Sequence, residues 1–446
     1  ARLRAAWQSL LRRHPNLRAS FRHLGSGRPV AVAERGVVLP WSQADLSGLD
    51  PDAFAEAWER CLAEEGRRFD PSVAPLLRVL LVRTGPQAHR LVLTHHHLLL
   101  DGWSRGPLVA ELSALYDGDT PPPSTPFRDF LTWLAGQDPK ASEAAWSRAL
   151  AGAEGTHLAP PDPERTPVVP DVVDRELDAE TTARLTALAR RSGVTVSTVV
   201  RAAWAVVLGR FTGRSDVVFG ATVSGRPAEL PGVESMIGLF INTVPVRVLI
   251  DPAEPLSRLL GRLHEEQSVL LGHEHLGLAD IQRAAGAGEL FDTLLIFENY
   301  PADEDGPAEG VLRPVEAGGR DATHYPITWA VDPGERLHLT LEHRPDLVDG
   351  AAAERLVTAM TRVLTAMADD PDTPSGRVDL LGPDERRTIL TEWNEGPADL
   401  PGVTVAELFE AQAARSPAAT AVGCGEVRRT FAELNARANR LARALV

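Results

Sequence analysis

A chain of 446 residues exceeds what one ordinary hydrophobic core organises, so two or three compact units are expected. Its 43% hydrophobic and 24% charged content is that of a soluble globular protein, and 61 acidic against 46 basic residues argue against nucleic acid or an anionic membrane as partner. Two cysteines, Cys61 and Cys424, exclude a disulfide scaffold and point to a reducing, cytoplasmic setting.

In chain order, residues 2–14 place Leu3, Trp7, Leu10 and Leu11 at helical spacing, and Pro15 stops that helix. The pattern starts at once, without an initiator Met, so a preceding piece is expected. Residues 31–39 read as a strand and 52–65 as a helix. The aliphatic runs 76–82 and 90–96 read as a hairpin. Helices are expected at 106–116, 127–134 and 141–150, and the Pro- and Asp-rich stretch 160–170 as a linker. Beyond it come helices at 179–192 and 196–211, the second apolar nearly all round and hence buried. Strands follow at 216–221, 241–250 and 293–297, then a hairpin of 327–331 with 337–343 and a helix at 351–366. No apolar run reaches membrane-spanning length, and no signal-peptide pattern opens the chain.

The chemistry concentrates in His96-His97-x-x-x-Asp101-Gly102. A strand delivers the histidines to an element end, and Gly102 permits a backbone conformation closed to other residues. An acid four residues on can steady the turn while one imidazole does general-base work near neutral pH. The alternative is an edge strand whose histidines are merely polar. His273-Glu-His275 with His264 lacks a third ligand at supporting spacing, so no metal site is read there. No Gly-rich phosphate loop is present either.

Several motifs in order resemble those of condensation domains of nonribosomal peptide synthetases. They are Arg13-His-Pro-Asn-Leu-Arg18-Ala-Ser-Phe21, the histidine motif, Phe127-Arg-Asp-Phe-Leu-Thr-Trp133 (Phe where the family has Tyr), Ile237 through Asn242 to Arg247, and Phe291 through Glu298 and Asn299 to Tyr300. The tail, with Trp393-Asn394, Val405 to Gln412 and Thr430 to Asn439, resembles the beginning of an adenylation domain. The resemblance implies an α/β fold of two chloramphenicol-acetyltransferase-like lobes in a V-shaped pseudo-dimer with a central tunnel. The expected layout is an N-terminal lobe at 1–160, truncated at its start, a C-terminal lobe at 161–375, a linker at 376–400 and an incomplete adenylation start at 401–446. Helices of that tail, at 403–415 and from 428 to 446, show an apolar face that nothing within the tail covers.

The implied reaction is amide formation, in which the amine of an acceptor aminoacyl thioester attacks the carbonyl of a donor thioester. Both would be carried on phosphopantetheine arms of upstream donor and downstream acceptor carrier domains, with no cofactor bound by this chain itself, and with the adjacent adenylation domain as a further partner. His97 is the catalytic candidate, as a base or as the group that positions the amine. His96 faces the other side of an extended strand and reads as structural. Asp101 reads as a buried carboxylate paired with arginine, and the resemblance makes Arg247 the first candidate and Arg18 the second. Gly102 allows close backbone approach. Trp103 either lines the acceptor side of a channel, with Ser104 and Asn242, or is a core tryptophan. Ser224-Gly-Arg-Pro227 resembles the family's floor loop. An epimerisation domain shares the histidine motif but would abstract an α-proton, and a recruitment platform of the same fold typically loses the second histidine. Heterocyclisation domains normally carry aspartates at the first histidines, and a free-standing coenzyme A acyltransferase would lack the tail. The histidine and late motifs lean towards donors ending in a D-residue or glycine.

Overall fold

The computed structural model describes residues 1–25, 29–162, 168–286, 288–299, 323–396 and 402–445. Tyr300 of the late motif, residues 163–167 of the first expected linker and 397–400 of the second lie outside them. The chain divides into two compact units, Ala1–Leu380 and Leu381–Val446.

The first half of the larger unit comprises α1 (Arg2–Arg13), β1 (Ala19–His23), β2 (Pro29–Ala33), β3 (Trp41–Asp45), α2 (Pro51–Glu65), β4 (Leu77–Arg83), β5 (His89–His95), α3 (Arg105–Asp117), α4 (Phe127–Ala135) and α5 (Pro139–Ala149). A three-stranded sheet runs β3-β4-β5, its centre β4 parallel to β3 and antiparallel to β5. Leu10 and Leu11 of α1 pack with Leu77 and Val79 of β4 and with Leu108 and Leu112 of α3. Each such side chain removed from water contributes about 1.5–3 kcal/mol. Residues 31–39, expected as one strand, are strand only to Ala33; β2 pairs with β1 in a separate ribbon. The expected helices and the hairpin of β4 with β5 are present, within a residue or two at each end.

The second half comprises β6 (Asp171–Glu176), α6 (Ala179–Arg191), α7 (Val196–Thr212), β7 (Asp216–Val223), β8 (Asn242–Leu249), α8 (Leu256–Leu270), α9 (Leu278–Ala284), β9 (Thr293–Phe297), β10 (Ile327–Asp332), β11 (His338–His343) and α10 (Gly350–Asp369). Its six strands order β6-β11-β10-β9-β7-β8. Helix α7 is the core element. Thr195 caps its N-terminus by accepting from Thr198 N–H at 3.1 Å, and Gly213 ends it at φ 68°. Between those caps Val199 to Leu208 are buried apart from Arg201, and Trp204 meets Trp329 of β10 edge-to-face at 5.6 Å.

The smaller unit carries α11 (Pro383–Leu390), α12 (Val405–Arg415), β12 (Thr420–Cys424), β13 (Val427–Thr430) and α13 (Phe431–Leu445). The expected linker 376–400 is therefore partly helical. Residues 428–430, expected to open a helix, are strand instead. Thr430 Oγ1 accepts from Glu433 N–H at 3.2 Å, a cap that sets the helix start at Phe431. Val405, Leu408, Leu441 and Leu445 are exposed. Among the described residues no single helix is long and apolar enough to cross a membrane.

Candidate active site

Strand β5 ends at His95, so His96 and His97 sit on the turn beyond it. His96 is half-buried: its N–H donates to the Leu76 carbonyl at 2.9 Å, and its Nδ1 accepts from Leu98 N–H at 3.1 Å. An accepting Nδ1 must be unprotonated. Burial, and secondarily the charge of His97, hold the His96 pKa below the ordinary histidine value, which favours that same neutral form. His97 is exposed, with its ring edge-on to His95 at 5.7 Å. The two histidines thus differ in kind: one knits the turn, and the other is exposed.

Four residues on, Asp101 is 2% exposed. Its Oδ1 accepts from Ser104 N–H at 2.9 Å and lies 2.8 Å from Ser104 Oγ, while Oδ2 accepts from Phe240 N–H at 2.9 Å and Ile241 N–H at 3.3 Å. Asp101 N–H also donates to the Gly238 carbonyl at 3.0 Å. The segment 237–241, which leads into β8 of the second half, is therefore stitched to the histidine turn of the first. Asn16 adds a bond from Nδ2 to the Ile237 carbonyl at 2.8 Å, and Ile237 is buried in the first half's core.

The cation at Asp101 is Arg226. Its Nη2 lies 3.3 Å from Asp101 Oδ1 and donates to Ser104 Oγ at 3.1 Å, and both side chains are almost wholly buried. Nη1 donates to the Val233 and Met236 carbonyls, and the guanidinium lies 4.0 Å from the Phe240 ring centre. Burial lowers the Arg226 pKa while Asp101 opposes the shift. This corrects both expected partners. Arg247 on β8 instead grips Asp216 of β7 with bonds of 3.0 and 2.8 Å, which raises its pKa. Arg247 stands opposite Val218, so Asp216 is its diagonal neighbour on the same sheet face and within easy reach of a long side chain. Arg18 spends its guanidinium on the carbonyls of Leu11 and Glu34. Sequence reasoning assigns Arg226 no role, although it stands in the quoted Ser224-Gly-Arg-Pro227 loop.

Gly102 is half-buried, and its carbonyl accepts from Arg105 N–H at 3.2 Å. Trp103, also half-buried, has the Arg226 guanidinium 5.8 Å from its ring centre. Ser104 is fully buried within the Asp101 network. Its hydroxyl lies 2.8 Å from the Gly238 carbonyl and accepts from Gly238 N–H at 3.0 Å, so it does not line a channel. Asn242 is likewise committed: Nδ2 donates to the Glu274 and Leu276 carbonyls at 2.7 Å each.

Close backbone approach is required at two glycines of this crossing. Gly225 has φ +60°, and a Cβ there would stand 1.8 Å from the Phe240 carbonyl oxygen. A Cβ on Gly238 would stand 2.2 Å from the Phe127 ring. Phe127 packs with Phe130 and Phe240. In the late motif, Asp292 accepts from Leu158 N–H at 2.9 Å and Ala159 N–H at 2.8 Å, which fixes the chain between the halves. His273 and His275 flank the Ser142 hydroxyl at 3.0 and 3.2 Å, and among the described residues no cluster is placed to hold a metal.

Fold and site together define an α/β protein of two sheet-bearing halves, joined through a buried Asp–Arg pair beneath a histidine turn. The condensation-domain family matches residues 1–390, and the chain belongs to that family. It is 36% identical over 462 residues to a linear gramicidin synthase of Brevibacillus parabrevis, covering 99% of this chain and 6% of that protein. Bacitracin synthase 3 of Bacillus licheniformis is 32% identical over 463 residues, covering 99% of this chain and 7% of that protein. The chain thus spans a small fraction of the curated relatives it matches. Among solved structures, the X-domain from teicoplanin biosynthesis superposes with a TM-score of 0.74 at 22% identity, covering 85% of this chain and 90% of that one. A four-domain nonribosomal peptide synthetase bound to AMP and glycine gives a TM-score of 0.75 at 19% identity, covering 99% of this chain and 36% of that one.

Proposed function

We propose that the chain forms amide bonds between two carrier-bound thioesters in nonribosomal peptide synthesis, with His97 meeting the attacking amine. The observation that carries this is an exposed His97 on a turn whose base, Asp101, is fully buried and bonded to both halves. Such a turn can hold one imidazole in place while the amine and the thioester carbonyl are brought together. Orienting two tethered reactants can lower a barrier by about 7–11 kcal/mol, so the imidazole need supply only part of the acceleration. A neutral imidazole accepts the proton that the amine sheds, or holds the amine's N–H towards the carbonyl. His96 and Asp101 support the turn, and Gly102 and Trp103 lie where the substrates would pass. The phosphopantetheine arms come from the carrier domains, and the two arms would enter from opposite sides of a tunnel between the halves.

Mass spectrometry of intact carriers tests the reaction. Incubation with a loaded donor and a loaded acceptor carrier is expected to move the donor acyl mass onto the acceptor. Epimerisation leaves both masses unchanged, as does a recruitment platform, and either result would displace the proposal.

We further propose that residues 401–446 begin an adenylation domain. Their exposed Val405, Leu408, Leu441 and Leu445 support this, since they are left for other parts of such a domain to cover. The isolated segment 381–446 is expected to show weak hydrogen-exchange protection and no cooperative melting. A sharp thermal transition in that peptide would contradict the assignment.

A further inference from the structure

The second half holds a polar cluster that the histidine turn does not use. Arg201 on α7, Gln267 on α8 and Glu274, just past the short turn Leu271–His273, converge at the end of β7. Arg201 donates from Nη1 to Gln267 Oε1 and from Nη2 to the Thr222 carbonyl, each at 3.2 Å. Among the described residues its Nε is buried with no hydrogen-bond partner, and so is Gln267 Nε2. The Glu274 carboxyl has no hydrogen bond among the described residues, and no ion pair within 4.0 Å joins it to Arg201. An unmet buried polar group costs about 1–3 kcal/mol. Here two such donors, Arg201 Nε and Gln267 Nε2, are left over beside the one bond that Arg201 and Gln267 share.

Burial pushes the Glu274 carboxyl up to about 7, against the pull of Arg201, so near neutrality it offers either a lone pair or a proton. The cluster hangs from the segments that hold Asp101. Asn242, next to the Ile241 N–H that binds Asp101, bonds the Glu274 carbonyl, and Thr222 precedes the loop that carries Arg226.

We propose that Arg201, Gln267 and Glu274 form a subsite for a carboxamide group of a thioester substrate. The amide carbonyl accepts from Arg201 Nε–H and Gln267 Nε2–H, and the amide N–H donates to Glu274. A carboxylate alone would leave Glu274 unmet, and an ammonium alone would leave Arg201 unmet; an amide answers both. This rests on the reaction proposed above. The amide is either the side chain of the acceptor residue or the peptide bond next to the donor thioester.

Full-length chain and carrier-loaded substrates test it in two arms. One compares glutaminyl with methionyl acceptors, which are similar in length. The other compares a dipeptidyl donor with its depsipeptide, in which an ester replaces the amide. In one arm the unaltered chain is expected to favour the amide in kcat/KM by roughly 10-fold or more. Arg201→Met and Glu274→Met should bring that ratio close to one, and Glu274→Gln, which keeps an acceptor oxygen, should retain part of it. A purely structural role would lower both members of each pair equally, and an unchanged ratio in folded variants would overturn the subsite. A ratio of one in both arms of the unaltered chain would overturn it too. Should Arg201→Met fail to fold, the Glu274 variants decide. If the unaltered chain makes no amide product with any pair, the proposed reaction itself falls, a result distinct from an unselective but active chain.

Discussion

Asp101→Ala is expected to lower the melting temperature by about 4–6 °C, because it leaves the Arg226 guanidinium buried without its counter-charge. Removing one partner of a buried pair costs about 3–5 kcal/mol, most of it the stranded charge rather than the lost attraction. Arg226→Met strands Asp101 less severely, since Ser104, Phe240 and Ile241 still donate to it, but it gives up the bonds to Val233 and Met236. The double variant should therefore be more stable than the sum of the singles predicts, by about 1–3 kcal/mol. Asp101→Asn keeps an acceptor for the Phe240 and Ile241 N–H groups and should fall between wild type and Asp101→Ala. Differential scanning fluorimetry on the unaltered chain and the four variants reads this directly. Additive losses would mean that the pair is not coupled, and that the halves are joined here by the remaining hydrogen bonds and packing.

The contrast between legible and illegible features follows contact range. Helix α7 is readable because its apolar residues run all round a helix with Thr195 at one end and Gly213 at the other. The hairpins of β4 with β5 and of β10 with β11 are readable because their pairing is local. Strand β3 is not, since its partner β4 is parallel and lies beyond a helix. Strand β6, Asp-Val-Val-Asp-Arg-Glu, is an edge strand made by its pairing with β11 and has no apolar face that period-two patterning could detect. Helix α8 is different: Leu256, Leu259, Leu260 and Leu263 stand at helical spacing, a signal that is present in the sequence but absent from the expected elements.

The site divides in the same way. The histidine motif is contiguous, whereas the cation for Asp101 lies 125 residues away and depends on how the crossing segment folds. Resemblance points to Arg247, yet an arginine on a strand interior takes the nearest acid on its own sheet face, which is Asp216. Charge type points to a buried acid paired with an arginine; only the fold can say which arginine reaches which carboxylate. Arg201 interrupts the apolar run of α7 and Glu274 stands within His273-Glu-His275, but nothing in the sequence says that the two come together.

His97→Ala is expected to behave oppositely to Asp101→Ala. The side chain is exposed, so its loss should leave melting within about 1 °C of the unaltered chain. Product formation from loaded carriers should fall by about 100-fold to 10,000-fold, the range set by losing a positioned acid–base group. What persists reflects the approach of two tethered reactants, which the substitution does not touch. His96→Ala makes the internal comparison: its Nδ1 bond to Leu98 N–H and its half-buried ring predict a loss in stability together with activity. Measuring melting and transfer on the same preparations separates the cases. An equal fall in stability for both histidine variants would make His97 a structural residue like its neighbour. Full transfer by a folded His97→Ala protein would leave proximity as the sole source of catalysis and remove His97 from the chemistry.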